Sequence, residues 1–420
     1  MKSISNTSNL SLTGRSFWTK QLVRALTNMP FGRLDLSIGS DTWRFGEQTE
    51  PYAQVHIKDE QALKQFLLGG SLGAASAYID GLWDSPDLTQ VIRLFARNLS
   101  WLDGKAGKLN KVMRPILRFG HWLNRNSKQQ ARKNIADHYD LGNALYERFL
   151  DSSMMYSAAI FPHADSSLEE AQQYRLARIC EKLDLRPGQS LIEIGTGWGS
   201  MAIFAAQHYG AKVTTTTLSQ EQFNYTQARV KALGLEDKVQ VLLSDYRDLT
   251  GQYDRLVSIE MIEAVGEEYL NGYFRKCSEL LKEDGRALIQ GITISDQRYP
   301  FYKKHVDFIQ KYIFPGGHLP SITRMMNGLT QSSDLVLRHL EDFGEHYAQT
   351  LALWHQQFER NWDDIKHQGY DEHFRRLWRY YLCYCEGGFA ERTISVVQLV
   401  LAKPQDKTPA LLGMLPGKEA

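Results

Sequence analysis

At 420 residues, with 43% hydrophobic and 23% charged side chains, the chain can bury a full α/β core and has room for a second domain. A formal net charge of +1 gives no overall pull toward nucleic acid, and no apolar run reaches the roughly 18–20 residues of a membrane-spanning helix. The opening MKSISNTSNLSL lacks a signal-peptide core and the four cysteines form no secreted-type framework, so a reducing cytoplasm is the expected compartment.

In chain order, Phe17 to Met29 reads as a short amphipathic helix with Trp18, Leu22, Val23, Leu26 and Met29 apolar. Such a helix packs on its own domain more often than it lies on a membrane. GRLDLSIGS, DTWRFGE and AQVHIKD are alternating strands split by Gly and Asp turns, and EQALKQFLLGG, SAYIDGLW and DLTQVIRLFARNL read as helices. Together they predict a small N-terminal α+β domain over residues 1–127. Across its end, Lys105 to Lys133 holds nine Lys/Arg and no Asp or Glu, interleaved with Met113, Ile116, Leu117, Phe119, Trp122 and Leu123. That pattern suits an anionic membrane surface and suits a solvated linker about equally.

From about Ala131 strands alternate with helices, as a parallel sheet requires. The strands are QSLIEIG, KVTTTTL, VQVLLSD, DRLVSIE and RALIQGIT. A stretch rich in Tyr, Phe, Trp and His follows from Gln297 to about Arg392, mostly helical, with SDLVLRHLEDFG as a strand inside it. ISVVQLVLAK is expected as a final edge strand, which closes a second domain over 128–404, and 405–420 as a loose tail.

The most informative window is LIEIGTGWGS at Leu191–Ser200, a strand running into Gly195, Gly197 and Gly199 with a helical stretch behind it. Glycines at alternate positions let backbone close over a ligand, and the helix N-terminus behind them favours a polar or anionic group. The spacing is not G-x-G-x-x-G of dinucleotide folds. With Glu193 before the first glycine it fits the E/D-x-G-x-G-x-G loop of S-adenosylmethionine (SAM) methyltransferases.

Further segments form an ordered series: NIADHYDLGN at Asn134–Asn143, DSSMMYSAAIF at Asp151–Phe161, TLSQEQ at Thr217–Gln222, SDYRDL at Ser244–Leu249 and SIEMIEAVG at Ser258–Gly266. Then come KYIFPGGHLPS at Lys311–Ser321, EDFGEHYAQTLALW at Glu341–Trp354 and YYLCYCEGGFAER at Tyr380–Arg392. The series resembles the cyclopropane-fatty-acyl-phospholipid synthase family, and GGSLGAASAYIDGLWDSPDL resembles that family's extra lipid-associated domain, with Ser76 where an acidic residue is usual. The resemblance implies a class I SAM-methyltransferase (Rossmann-like) α/β sheet with a helical insert for lipid. It also implies SAM transfer of a methylene group to unsaturated acyl chains of membrane phospholipids. Proton loss elsewhere from the same cation would instead give a methyl- or methylene-branched chain. A decayed lipid-binding homologue and a small-molecule methyltransferase are the remaining readings. The family further implies a homodimer associated peripherally with the inner leaflet of the cytoplasmic membrane.

For the cofactor, the resemblance implies that Tyr139, Tyr156 and Ser157 close over SAM, above Glu193 and the three loop glycines. Thr217, Leu218 and Gln222 follow the second strand, and Asp245 with Tyr246, ending the third, faces the adenine. For the chemistry it implies a bound bicarbonate as the base, with Glu263, Tyr347 and Gln290 around it. Three positions depart from the usual pattern: Ala158 replaces a Cys whose role is either a backbone amide or a thiol contact, Gln290 replaces a His, and Ala264 replaces a His. EAVG and the Gln are closer to plant-type members. Cys385 matches a cysteine proposed as catalytic, although alkene methylation needs no covalent nucleophile, and a buried structural thiol is the preferred reading. His305, His318, His346 and His355 match no compact metal motif, so no metal is expected.

Overall fold

The computed structural model describes residues 14–106, 141–409 and 411. Tyr139, the body of the basic segment with Lys111, Arg114 and Arg118, and the boundary expected at residue 127 lie outside them.

The N-terminal unit is built as its patterning requires. Strands β1 (Arg33–Ile38), β2 (Asp41–Phe45), β3 (Tyr52–Ile57) and the short β4 (Trp83–Asp84) form a sheet of order β2-β1-β3-β4. Alternate side chains Leu34, Leu36, Trp43, Phe45, Val55 and Ile57 point inward. The helix Gln61–Ile79 bends at Gly70, whose φ of 56° no side-chain-bearing residue adopts easily, so the two helices read from the sequence are joined across a kink. The first helix, Phe17–Leu26, buries Leu22, Val23 and Leu26 on this unit and leaves Phe17 exposed.

The larger sheet has seven strands: β5 (Ser190–Ile194), β6 (Lys212–Thr217), β7 (Val239–Leu243), β8 (Tyr253–Ile259), β9 (Leu281–Ile294), β10 (Val336–Asp342) and β11 (Ile394–Ala402). Their order is β10-β11-β9-β8-β5-β6-β7, parallel from β9 to β7, with β11 antiparallel to both neighbours. Strand order reverses between β5 and β8, and ligands of open α/β sheets bind at such a switch point, beyond the carboxyl ends of the strands. One expectation is corrected here. ISVVQLVLAK is not the edge: β11 is buried along most of its length because it inserts between β9 and β10. The edge on that side is β10, whose exposure alternates, with Arg338 and Asp342 on its wet face.

The N-terminal unit and the helical insert share one apolar core. The helix Glu372–Ala390 is the common wall. Gly387 lets it approach so closely that a Cβ would lie 2.7 Å from Ile92 Cγ2. Polar clamps flank that contact: Arg93 and Arg97 both reach Glu391, and Thr89 donates to Glu386 at 2.9 Å. Arg376 donates to the carbonyls of Tyr78 and Trp83 from the other end.

The segment after β11 is anchored rather than loose at its start. Asp406 accepts two hydrogen bonds from the fully buried Arg286, at 3.1 and 2.8 Å, whose remaining bond goes to the Lys182 carbonyl. Removing one partner of a buried pair strands the other charge. Asp406→Ala is therefore expected to cost about 3–5 kcal/mol, read as a lower urea midpoint at an unchanged m value.

Candidate active site

The glycine loop leaves β5 and is tied to β6: Gly195 and Thr196 N–H both donate to the Thr216 carbonyl, at 3.1 and 2.9 Å. All three glycines have positive φ, and a Cβ on Gly199 would strike Thr226 at 2.5 Å. Gly197 differs, because a Cβ there would meet nothing within 4 Å. Its backbone faces open space at the head of the helix Ser200–His208, a cradle suited to SAM. Ser157, close in sequence to Tyr156, is buried with an Oγ that has no partner among the described residues. Glu193 is turned beneath the loop and takes the Thr215 hydroxyl at 2.6 Å, and burial pushes its carboxyl up to about 8. It braces β5 against β6.

At the neighbouring strand ends, Thr217 Oγ1 donates to Gln222 Oε1 at 2.8 Å and accepts the Ser219 N–H, which fixes both side chains, with Leu218 half-buried between them. Asp245 ends the β7 segment, and both of its oxygens hold Arg247, at 2.8 and 2.6 Å. Tyr246 stands edge-on to Tyr273, 5.6 Å between centroids.

Beyond β8 the structure brings together what the sequence assigned around an ion, but it centres them on a different group. Glu260, the residue after β8, has φ 49° and donates its N–H to the Gln290 carbonyl at 2.8 Å. Its Oε1 accepts from the Ala158 N–H at 2.9 Å and from Gln290 Nε2 at 2.8 Å, while Oε2 accepts from Tyr347 O–H at 2.7 Å. Gln290 is locked in that orientation because its own Oε1 takes Arg175 Nη1 at 3.3 Å and Gln398 Nε2 at 3.0 Å. Burial pulls Arg175 down to about 10, so it stays cationic at neutral pH, with its field on Glu260.

This corrects the sequence reading at two places. Glu263 does not share an ion with Tyr347 and Gln290: its Oε1 takes the Ile292 N–H, and its Oε2 is buried without a partner among the described residues. Burial and the nearby Glu260 push Glu263 up to about 8, toward its neutral form. The donors allotted to bicarbonate, namely the amide at 158, Gln290 and Tyr347, are all taken by a carboxylate of the chain itself. The residues present therefore do not fit that ion. Glu260 was missed because the resemblance drew attention to Glu263; the usable signal was a carboxylate placed directly at a strand end of the switch point.

Aromatic rings pack against one another beside this cluster. Tyr156 O–H meets Tyr381 O–H at 2.7 Å, and its ring lies 5.2 Å from that of Trp354 and 5.3 Å from that of Tyr146. Tyr347 packs on Phe389 at 4.5 Å. Cys385 sits in this apolar mass, where burial pushes its thiol far above the range of a nucleophilic thiolate. One grouping lay beyond the sequence reading. His355, Cys383 and Glu386 bring ligand atoms within 4.8 Å of one another, although Glu386 is already bound to Thr89 across the shared core. His318 and His346 lie elsewhere, against Tyr299 and the Phe161 N–H.

The strand order, the glycine loop and the open space at Gly197 define a SAM-dependent methyltransferase. Residues 126–399 match the family model described as mycolic acid cyclopropane synthetase, and the chain belongs to that family. It is 36% identical over 401 residues to "Tuberculostearic acid methyltransferase UfaA1" of Mycobacterium tuberculosis, covering 94% of this chain and 92% of the relative. It is 37% identical over 356 residues to the cyclopropane-fatty-acyl-phospholipid synthase of Escherichia coli K12, covering 84% and 88%. Among solved structures it is similar to the mycolic acid cyclopropane synthase CmaA1 complexed with SAH and CTAB: TM-score 0.61, 31% identity, covering 65% of this chain and 98% of that one.

Gly197→Val is expected to abolish SAM binding in titration calorimetry, since the branched side chain would fill the open cradle. Gly188→Val is the control: it has a similar positive φ and equally open surroundings in the turn before β5. Both variants carry a backbone strain of about 1–2 kcal/mol, and only the first should lose the ligand. Unchanged affinity in Gly197→Val would refute the cofactor assignment.

Proposed function

We propose that this chain adds the methyl carbon of SAM to a double bond in an unsaturated acyl chain of membrane phospholipid and closes a cyclopropane ring. The observation that carries the reading is the aromatic cluster of Tyr146, Tyr156, Tyr347, Trp354 and Phe389, which meets the strand-end group at Glu260 through Tyr347. SAM, when bound, supplies an electrophilic methyl group. The loop from Gly195 to Gly199, Ser157 and the Thr217–Gln222 pair hold it, Asp245 and Tyr246 flank the adenine, and Tyr139 and Tyr156 cover it. The alkene, once methylated, carries a positive charge on its second carbon. Aromatic faces stabilise that charge at about 0.5–2 kcal/mol each and present no lone pair to trap it.

Similarity to the E. coli synthase supports the ring as product. Similarity to a tuberculostearic acid methyltransferase supports a second reading, in which the same cation loses a proton elsewhere and leaves a methyl- or methylene-branched chain. Expression in a host that lacks such enzymes, followed by proton NMR of the extracted fatty acids, separates them. Upfield cyclopropane protons are expected. Vinylidene or branched-methyl signals would favour the second reading, and unchanged lipids would reject both.

The bilayer holds the alkene, so the enzyme is read as a peripheral protein of the inner leaflet, acting as a homodimer. Residues 1–127 are the lipid-associated unit, 128–404 the catalytic unit, and 405–420 a tail anchored at Asp406. The Lys105–Lys133 segment supplies the anionic-surface contact, at about 1 kcal/mol per engaged basic side chain. Changing Lys111, Arg114 and Arg118 together to Gln should weaken salt-sensitive binding to phosphatidylglycerol vesicles and leave SAM affinity unaltered. Equal vesicle binding by variant and wild type at low salt would make the segment a linker.

A further inference from the structure

A proton must leave the new methyl group before the ring can close, so some base has to stand beside the aromatic cluster without being lost to it. We propose that Glu260 is that base, a carboxylate built into the chain where bicarbonate was expected. The inference rests on the lipid-alkylation reading above and adds to it the group that completes the reaction.

Three observations carry it. First, the donors allotted to bicarbonate are engaged: the Ala158 amide, Gln290 and Tyr347 converge on the two oxygens of Glu260. Second, a carboxylate offers about four lone-pair sites. Among the described residues three are filled, two on Oε1 and one on Oε2, so a lone pair on Oε2 is left for an incoming proton. That occupancy also blunts the carboxylate as a nucleophile toward the cation. Third, the position is right. Glu260 follows β8 and the glycine loop follows β5, on the two sides of the switch point, and a Cβ placed on Gly195 would lie 3.4 Å from Met261, the residue after Glu260. Arg175 supplies the compensating charge through Gln290.

The step balances within the chain and its substrates. The π pair of the alkene forms the bond to the methyl carbon, and the sulfur keeps the pair of the bond that breaks. Glu260 takes a proton from that methyl group, and the freed C–H pair forms the second ring bond. Glu260 is left as the carboxylic acid and passes its proton to solvent before the next turnover.

Backbone geometry supplies the test. At φ 49° glycine is at ease, so Glu260→Gly removes the carboxylate, relaxes the chain and leaves a space ringed by the same three donors. Glu260→Gln keeps the volume and cannot accept the proton. Full-length protein is assayed with SAM and unsaturated phosphatidylglycerol vesicles, in buffer stripped of carbon dioxide and again with added bicarbonate. Wild type should turn over equally in both. Each variant should bind SAM normally and lose about 10²–10⁴-fold in kcat in stripped buffer. Bicarbonate should restore Glu260→Gly and not Glu260→Gln, whose side chain fills the space. The base assignment is overturned if wild type stalls without bicarbonate, if either variant keeps its turnover there, or if the folded Glu260→Gly enzyme stays inactive with bicarbonate. Failure of the lipid reading looks different: wild type would bind SAM and yield no altered acyl chain under any condition, and the base would fall with it.

Discussion

One negative charge has to be kept deep in an apolar, aromatic part of this molecule, and much of the surrounding architecture answers to that requirement. An unpaired buried carboxylate would neutralise itself or unfold its surroundings. Here Glu260 is answered by three short hydrogen bonds and, through Gln290, by the cationic Arg175. Arg175 is held in turn by two bonds to Gln172, and Gln172 donates to the Ser157 carbonyl. The same relay runs sideways through Gln398 to Lys182 and Glu341. Charge burial, strand pairing and the placing of the segment Tyr156–Ala158 are thus a single polar network. Such a network is stabilising only when every member is satisfied.

The second constraint is the shared wall. The helix Glu372–Ala390 presents Tyr381 to the aromatic cluster around Tyr156, and Gly387 to Ile92 of the N-terminal unit. Its two sides therefore serve two purposes at once. A shift of the N-terminal unit cannot leave that cluster unmoved, because the Arg93, Arg97 and Arg376 clamps bind that unit to the helix or to the residue just past its end.

What could be read from the sequence was what is local. The glycine loop, its bounding strands and the helix behind it follow from residue type and spacing, and Thr217 and Gln222 stand together as expected. Failures came from contacts that spacing does not encode. The strand ISVVQLVLAK is plainly a strand, but its place between β9 and β10 depends on an antiparallel insertion that only the tertiary fold decides. Glu260 escaped because its importance lies in direction: a left-handed backbone turns its side chain back toward Gln290 and Tyr347, while Glu263, three residues on, bonds to the Ile292 amide instead. Asp406 belonged to a tail without helix or strand periodicity, and nothing local announced that Arg286 was waiting for it.

The left-handed turn at Glu260 has a consequence for how such sites diverge. At most positions, trading a glutamate for a glycine costs packing or backbone order; at φ 49° glycine is the less strained of the two. The codons of glutamate and glycine differ at a single nucleotide. A lineage can therefore move between a tethered carboxylate and an open anion pocket by one point mutation, with the surrounding donors already in place. Dependence on dissolved inorganic carbon then becomes a trait that is gained or lost without rebuilding the fold.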